Sequence, residues 1–247
     1  MEDINDWQVK YENCKYADRL LSKLSELNQQ VTIPVNINEI TKGIYYAKKY
    51  HGSQMRQSGD PYYSHPIEVA YMVAEYAVLK IPKYYRTDMI ITSLLHDTIE
   101  DTTLTENMIG RVFGKQIASQ VKDLTRVKSY GKISAAEIIE LLFQQKKKDV
   151  LFIKLFDRLH NMQTIGAKSP EKINKIRKET MECFLTLAAH LGIGNIEKEM
   201  IKLCADTKDG SPLELPDFPM GNDPILPSLI FQNDVIQRQI LYLLAIK

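Results

Sequence analysis

Apolar residues recur every three or four positions along most of the chain, the spacing that places side chains on one face of an α-helix. Successive stripes of this kind begin at Ile37, Val69, Ile90, Ile138, Leu151 and Ile173. No convincing run alternates apolar and polar residues, as a half-buried strand would. The pattern therefore predicts an all-α helical bundle of about ten helices over residues 1–205.

Turn-forming residues separate these predicted helices and set the C-terminal segment apart. Residues 52–64 are predicted to form a loop, with Gly59-Asp60-Pro61 as its turn signal, and Asn36 is a predicted helix cap. Half of the ten prolines lie within residues 212–227, so residues 206–233 are predicted as an extended connector. A last helix is predicted for residues 234–247. Its broad apolar face is expected to dock on the domain or on a second copy, which would make a homodimer.

Composition and charge exclude several classes of protein. The 247 residues are 44% hydrophobic, which is typical of a globular protein, and 32 basic residues balance 31 acidic ones. A dedicated nucleic-acid-binding protein usually has a clear basic excess, so no nucleic-acid partner is expected. The three cysteines lack the spacing of a disulfide framework or a zinc site. No secretory signal or membrane-spanning run is found, and a cytoplasmic location is expected.

The first segment with candidate chemistry is His96-Asp97-Thr98-Ile99-Glu100-Asp101. If it is helical, its three carboxylates lie on one face within about one turn, because residues three and four apart are neighbours. Carboxylates this close repel one another, and a cation would remove that repulsion. Taken alone, the segment is equally well explained as a solvated acidic helix end.

Two further segments combine polar and apolar residues in an unusual way. Lys154, Asp157, Asn161 and Thr164 form a polar stripe beside the apolar face of one predicted helix, where a surface helix with ion pairs is the simpler explanation. His65 lies where a loop becomes a helix, because the following proline suits a first helical turn. A lone histidine there would usually be a surface residue.

Together, the three segments supply two imidazoles and two carboxylates, from His65, His96, Asp97 and Asp157. Such a mixed nitrogen and oxygen set suits a divalent ion such as Mn²⁺ or Fe²⁺, and suits zinc less well because no thiolate is present. In a six-coordinate ion, four protein ligands would leave positions for water and substrate.

These segments resemble, in residue type and order, the hydrolase domain of RelA/SpoT-type alarmone enzymes, which belong to the HD metal-dependent phosphohydrolases. The resemblance runs from about residue 36 to residue 193. It is carried by the motifs Arg56-x-x-Gly59-x-Pro61-Tyr62-x-x-His65-Pro66, His96-Asp97-x-x-Glu100-Asp101 and Lys154-Leu155-x-Asp157-Arg158-x-x-Asn161-Met162.

The resemblance implies an HD-type alarmone hydrolase domain over residues 1–205 that removes pyrophosphate from the ribose 3′ position of ppGpp or pppGpp. It assigns Mn²⁺ to His65, His96, Asp97 and Asp157. The water-activating acidic pair is Glu100 and Asp101. The residues expected to contact the nucleotide are Arg56, Ser58, Lys154, Arg158, Asn161 and Thr164.

The chain also departs from the family pattern. Gln57 stands where the family commonly has lysine. Only 54 residues follow Ile193, so no synthetase domain is expected.

Two alternative functions stay open at this point. One is a catalytically weak guanine-nucleotide-binding regulator, and the other is an HD phosphohydrolase of a different nucleotide.

Overall fold

The computed structural model describes residues 6–128 and 131–205, and it confirms the all-α prediction. Eleven α-helices of six or more residues and two of four residues occur in this part of the chain. The predicted connector and last helix lie outside the described residues. The helices are α1 (Trp7–Lys10), α2 (Lys15–Asn28), α3 (Ile37–His51), α4 (Ser64–Lys80), α5 (Thr87–Leu95), α6 (Thr98–Asp101), α7 (Glu106–Phe113), α8 (Lys115–Leu124), α9 (Ala135–Gln144), α10 (Lys148–Gln163), α11 (Pro170–Glu179), α12 (Leu185–His190) and α13 (Gly194–Ala205).

The described chain divides into two compact units. The first contains residues 6–133 and 152–157, and the second contains residues 134–151 and 158–205. All four predicted metal ligands and the predicted acidic pair belong to the first unit.

Helix α5 forms the centre of the first unit, where it packs against α3, α4 and α8. Every residue from Met89 to Leu95 is buried, which follows from the apolar composition of this helix. Its two buried hydroxyls are satisfied locally: Thr92 donates to Gln120 Oε1 at 2.9 Å and Ser93 donates to the Met89 carbonyl at 2.8 Å. A buried hydroxyl without such a partner would be costly.

The predicted caps and breaks around α3 and α4 are confirmed. The Asn36 side chain accepts a hydrogen bond from the Glu39 amide at 3.1 Å and so caps the start of α3. Helix α3 ends at His51 and α4 begins at Ser64, which leaves the predicted loop between them. His65 and Pro66 both lie in the first turn of α4, where proline is favoured because its missing N–H would have no helical partner.

One short β-hairpin occurs in the described residues, where no strand was predicted. Its strands, β1 (Val127–Lys128) and β2 (Gly131–Lys132), pair antiparallel with Val127 opposite Lys132. Two residues per strand are too few to produce a recognisable alternation along the sequence. The prediction of no strand was therefore wrong here, because strands this short leave no periodic pattern in the sequence.

The second unit is helical and includes a local change of helix type. Helices α11 and α12 are joined by a π-helical turn at Thr180–Phe184, against which α9 and α13 also pack. The capping box of α9 is complete: Ser134 Oγ accepts from the Glu137 amide, and the Glu137 carboxylate accepts from the Ser134 amide. None of the described helices is both long and apolar enough to cross a membrane.

Close packing of α3 on α5 generates a stability prediction at Gly43. A Cβ atom there would lie 3.1 Å from Leu94 Cδ1, whereas one at Gly110 in α7 would meet Ala118 Cβ at an ordinary 3.7 Å. Gly110→Ala is expected to raise the free energy of unfolding by about 0.5–1 kcal/mol through helix propensity. In Gly43→Ala, overpacking against Leu94 is expected to cancel this increase in the free energy of unfolding.

Urea denaturation of both glycine variants measures this difference directly. An equal increase in the free energy of unfolding of the two variants would contradict the prediction. It would mean that α3 and α5 can move apart at Gly43 without loss of stability.

Candidate metal centre

Two buried imidazoles approach each other in the first unit. His96 follows the last residue of α5, and its Nδ1 is 2.8 Å from the Ser93 carbonyl oxygen. This contact fixes the ring, as in metal-binding histidines, whose second nitrogen is almost always hydrogen-bonded. The His65 ring lies 5.1 Å from the His96 ring, centroid to centroid, in an edge-on arrangement.

The Asp157 carboxylate of α10 joins the two imidazoles. Its Oδ1 atom is 3.2 Å from His65 Nε2 and 3.7 Å from His96 Nε2. One ligand atom from each of these three buried residues lies within 4.8 Å of the other two. The other carboxylate oxygen, Oδ2, accepts a hydrogen bond from Lys154 Nζ at 2.9 Å.

Asp97 lies beside this group of three and, with it, makes up the candidate cluster. One oxygen of Asp97 is buried and lacks a hydrogen-bond partner. The Oδ1 atom of Asp97 is 3.2 Å from His51 Nε2, while Oδ2 is buried without a hydrogen bond and lies 3.9 Å from His96 Nε2. A buried carboxylate oxygen left unpaired is costly. A cation contacting Oδ2 would remove that cost, so the residues present fit a divalent metal.

Opposing effects set the protonation of the buried cluster. Burial lowers the pKa of His65, whereas at His96 the carboxylates of Asp97 and Asp157 outweigh burial and raise the pKa to about 9. Burial alone would raise the pKa of Asp157, but Lys154 and the imidazoles hold it well below its usual range. His96 and the other imidazoles likewise lower the pKa of Asp97 against the effect of burial. Both carboxylates are therefore ionised, as metal ligands must be.

The predicted acidic turn exists, although it does not continue the preceding helix. Helix α5 ends at Leu95, and the Asp97 carbonyl accepts hydrogen bonds from the amides of Glu100 and Asp101 at the start of α6. Asp97, Glu100 and Asp101 therefore lie within one helical turn, as the sequence predicted, but this turn is a separate short helix. His96 and Asp97 form the turn between the two helices.

Glu100 and Asp101 have different partners and opposite pKa shifts. Glu100 accepts from Lys132 Nζ at 2.6 Å and from the Arg126 amide at 3.0 Å, and these contacts outweigh burial and lower its pKa. Asp101 Oδ2 accepts from the Tyr62 hydroxyl at 2.9 Å. Burial, reinforced by the nearby charges of Asp97 and Glu100, nevertheless raises the pKa of Asp101. Neighbouring carboxyl groups with pKa values pushed apart are typical of acid–base pairs.

The predicted nucleotide loop is built around the side chain of Asp60. Its carboxylate accepts from Ser58 Oγ at 2.9 Å and from the Tyr16 hydroxyl at 2.6 Å. The Arg56 amide donates to the Asp60 carbonyl at 2.8 Å and closes the loop. Gly59 has a φ of +87°, a conformation that L side chains rarely adopt.

The other predicted nucleotide residues divide between the two units. Lys154 belongs to the first unit and is ion-paired with Asp157, as described above. Arg158 belongs to the second unit, where it donates to Glu179 Oε2 at 2.8 Å and lies 4.2 Å from the centre of the Phe184 ring. Asn161 and Thr164 also belong to the second unit, and the Thr164 hydroxyl donates to the His160 carbonyl.

Sequence reasoning gave no role to His51, yet this residue contacts the cluster. His51 is 1% exposed, and its ring stacks on Tyr62 with centroids 4.6 Å apart. No spacing rule links it to Asp97, which is 46 residues away. The available signal was its position at the end of an amphipathic helix, just before the loop that leads to His65.

Comparison with known proteins identifies a matching family and relatives. The family model described as "HD domain" matches residues 43–194. A Brucella ovis protein named GTP pyrophosphokinase rsh is 38% identical over 187 residues, covering 73% of this chain and 24% of the relative. An Aquifex aeolicus guanosine-3′,5′-bis(diphosphate) 3′-pyrophosphohydrolase is 36% identical over 190 residues, covering 73% and 26%.

A third relative and one solved structure have related names. The bifunctional (p)ppGpp synthase/hydrolase SpoT of Escherichia coli K12 is 34% identical over 190 residues, covering 74% of this chain and 26% of the relative. A structure titled as a metazoan SpoT ortholog that hydrolyses ppGpp gives a TM-score of 0.46 at 19% identity, covering 81% of this chain and 94% of that one. The chain spans about a quarter of the length of the curated relatives it matches. The resemblance to RelA/SpoT-type proteins is thus confirmed.

Removal of the Asp97 carboxylate tests the metal centre. Asp97→Ala is expected to weaken Mn²⁺ binding, because it deletes the only oxygen of the cluster that is buried without a hydrogen bond. Asp88→Ala is the control, since the Asp88 carboxylate is engaged by Arg86 and Gln116.

Isothermal titration of each purified variant with Mn²⁺ gives the dissociation constants. Wild-type affinity in Asp97→Ala would exclude Asp97 as a ligand.

Proposed function

The chain is a member of the HD-domain family, and from this membership we propose that it is a metal-dependent hydrolase of ppGpp and pppGpp. It removes pyrophosphate from the ribose 3′ position and returns GDP or GTP. The observation that carries the proposal is the buried group of His65, His96 and Asp157, with Asp97 beside it and a second carboxyl pair close by in the chain. The names of the Aquifex and Escherichia relatives support hydrolysis of this substrate.

We assign Mn²⁺ to the cluster, because imidazole and carboxylate donors without a thiolate suit this ion. When bound, such an ion lowers the pKa of a coordinated water and stabilises charge on a phosphate oxygen. The chain's donors are His65 Nε2, His96 Nε2, Asp97 Oδ2 and Asp157 Oδ1. Lys154 donates to the other oxygen of the Asp157 carboxylate, Oδ2, which leaves Asp157 Oδ1 for the cation.

Asp101 and Glu100 have separate tasks in this proposal. Tyr62 holds Asp101 Oδ2, which leaves Oδ1 to accept a proton from the attacking water. Hydrolysis breaks the bond between phosphorus and the ribose 3′ oxygen, and the same proton passes to that oxygen as the nucleotide leaves. Glu100 stays ionised against Lys132 and orients the water as a hydrogen-bond acceptor.

The remaining predicted residues bind the nucleotide. The Arg56 guanidinium is planar and suited to stacking on a purine, and Ser58 lies in the same Asp60-centred loop. Lys154 has three N–H donors, so its bond to Asp157 leaves two for phosphate oxygens. Arg158 and Asn161 have further N–H donors, whereas Thr164, whose hydroxyl donates to the His160 carbonyl, offers an oxygen acceptor. We place this activity in the cytoplasm, where guanine nucleotides are available.

A hydrolysis assay tests the function directly. Purified chain with Mn²⁺ is expected to convert ppGpp to GDP and pyrophosphate, and the products are separated by anion-exchange chromatography. A panel of other nucleoside polyphosphates is the control for substrate class. Turnover of another nucleotide without turnover of ppGpp would favour the other HD phosphohydrolase function, and tight ppGpp binding without turnover would favour the regulator.

Neutral amides at the acidic pair separate chemistry from metal binding. Glu100→Gln with Asp101→Asn is expected to lower kcat by the ~10²–10⁴ typical of lost acid–base assistance. Mn²⁺ affinity is expected to change little, because neither residue belongs to the four-atom cluster.

The same titration and assay are applied to this double variant. Parallel loss of metal and activity would instead make the pair part of the metal site.

A further inference from the structure

His51 is a buried histidine that the proposed reaction leaves without a task. Both of its ring nitrogens face oxygen atoms: Nε2 is 3.2 Å from Asp97 Oδ1 and Nδ1 is 2.9 Å from Gln54 Oε1. The ring is 1% exposed, so water cannot replace either partner readily.

Gln54 and Tyr62 fix the His51 ring from the loop that follows α3. The Gln54 amide nitrogen Nε2 donates to the Asp101 carbonyl at 2.9 Å, which orients its Oε1 toward His51. The Gln54 backbone is held in turn, because its amide donates to the His51 carbonyl and its carbonyl accepts from the Tyr62 amide. The Tyr62 ring lies against the His51 ring at an interplanar angle of 28°.

The contact with His51 gives Asp97 the same arrangement as that of Asp157 with Lys154. Each carboxylate gives one oxygen to a basic side chain, His51 or Lys154. The other oxygen faces the imidazoles, His65 and His96 at Asp157 and His96 at Asp97. At Asp97 that second oxygen is the buried atom without a hydrogen bond. Groups that orient metal ligands in this way commonly change metal affinity 10–100-fold when they are removed.

We propose that His51, oriented by Gln54 and Tyr62, is a positioning residue that holds Asp97 Oδ1 and thereby presents Asp97 Oδ2 to a divalent cation. The inference rests on the metal site of the proposed function. It adds a residue, remote in sequence, that sets how strongly the site binds its metal.

Three variants of the full chain test this role by Mn²⁺ titration calorimetry without nucleotide. His51→Leu removes both ring nitrogens and is expected to raise the Mn²⁺ dissociation constant about 10–100-fold. His51→Gln places an amide donor near the former Nε2 atom and is expected to remain within a few-fold of wild type. Tyr85→Phe is the control, because it removes a different buried hydrogen bond, that of its hydroxyl to Asn28.

The Mn²⁺ EPR spectrum and circular dichroism accompany each titration. A folded His51→Leu variant with wild-type affinity and spectrum would overturn the inference, as would a His51→Gln variant as weak as His51→Leu, since packing alone would then explain the loss. If His51→Leu does not fold, Gln54→Leu replaces it, because the Gln54 side chain is exposed. Unchanged Mn²⁺ affinity in Gln54→Leu would then overturn the inference.

The two proposals fail in different ways. A wild-type chain that binds no Mn²⁺ overturns the metal site and this inference together. Normal Mn²⁺ binding with no ppGpp turnover overturns only the proposed reaction, because the titration contains no nucleotide.

Discussion

The ionised carboxylates of Asp97 and Asp157, removed from water beside two imidazoles, are the constraint on which the rest of the first unit depends. A buried carboxylate is tolerated only when its oxygens have partners. A basic side chain holds one oxygen of each carboxylate, His51 at Asp97 and Lys154 at Asp157. The remaining oxygens face His65 and His96 at Asp157 and His96 at Asp97, an arrangement that fits a divalent cation.

The helices are placed so that this cluster can form. His51 ends α3 and His96 directly follows α5, and the carbonyl ends of helices favour positive charge. These two helices pack closely, because Gly43 has no side chain to keep Leu94 away. The apolar centre of the unit therefore fixes the separation of the groups that carry the chemistry.

The acidic pair shows how local surroundings can separate two neighbouring carboxyl groups. Lys132 and the Arg126 amide favour the charged form of Glu100, whereas burial and nearby negative charge disfavour the charged form of Asp101. The short hairpin provides Lys132, and the loop after α3 provides Tyr62, which binds Asp101. Two adjacent residues thus acquire different protonation behaviour from segments that lie far apart in the sequence.

The sequence by itself determined the all-α fold, the caps and loop around α3 and α4, and the set of residues expected at the candidate metal centre. These features are encoded within one or two helical turns, as in the Asn36 cap or the His65-Pro66 start of α4. The tertiary structure alone decided the contact of His51 with Asp97, the break between α5 and α6, the hairpin that reaches Glu100 and the pairing of Arg158 with Glu179. Each of these depends on groups that are distant in the chain or on a segment too short to show a period, and the periodicity of a single helix carries no information about such partners.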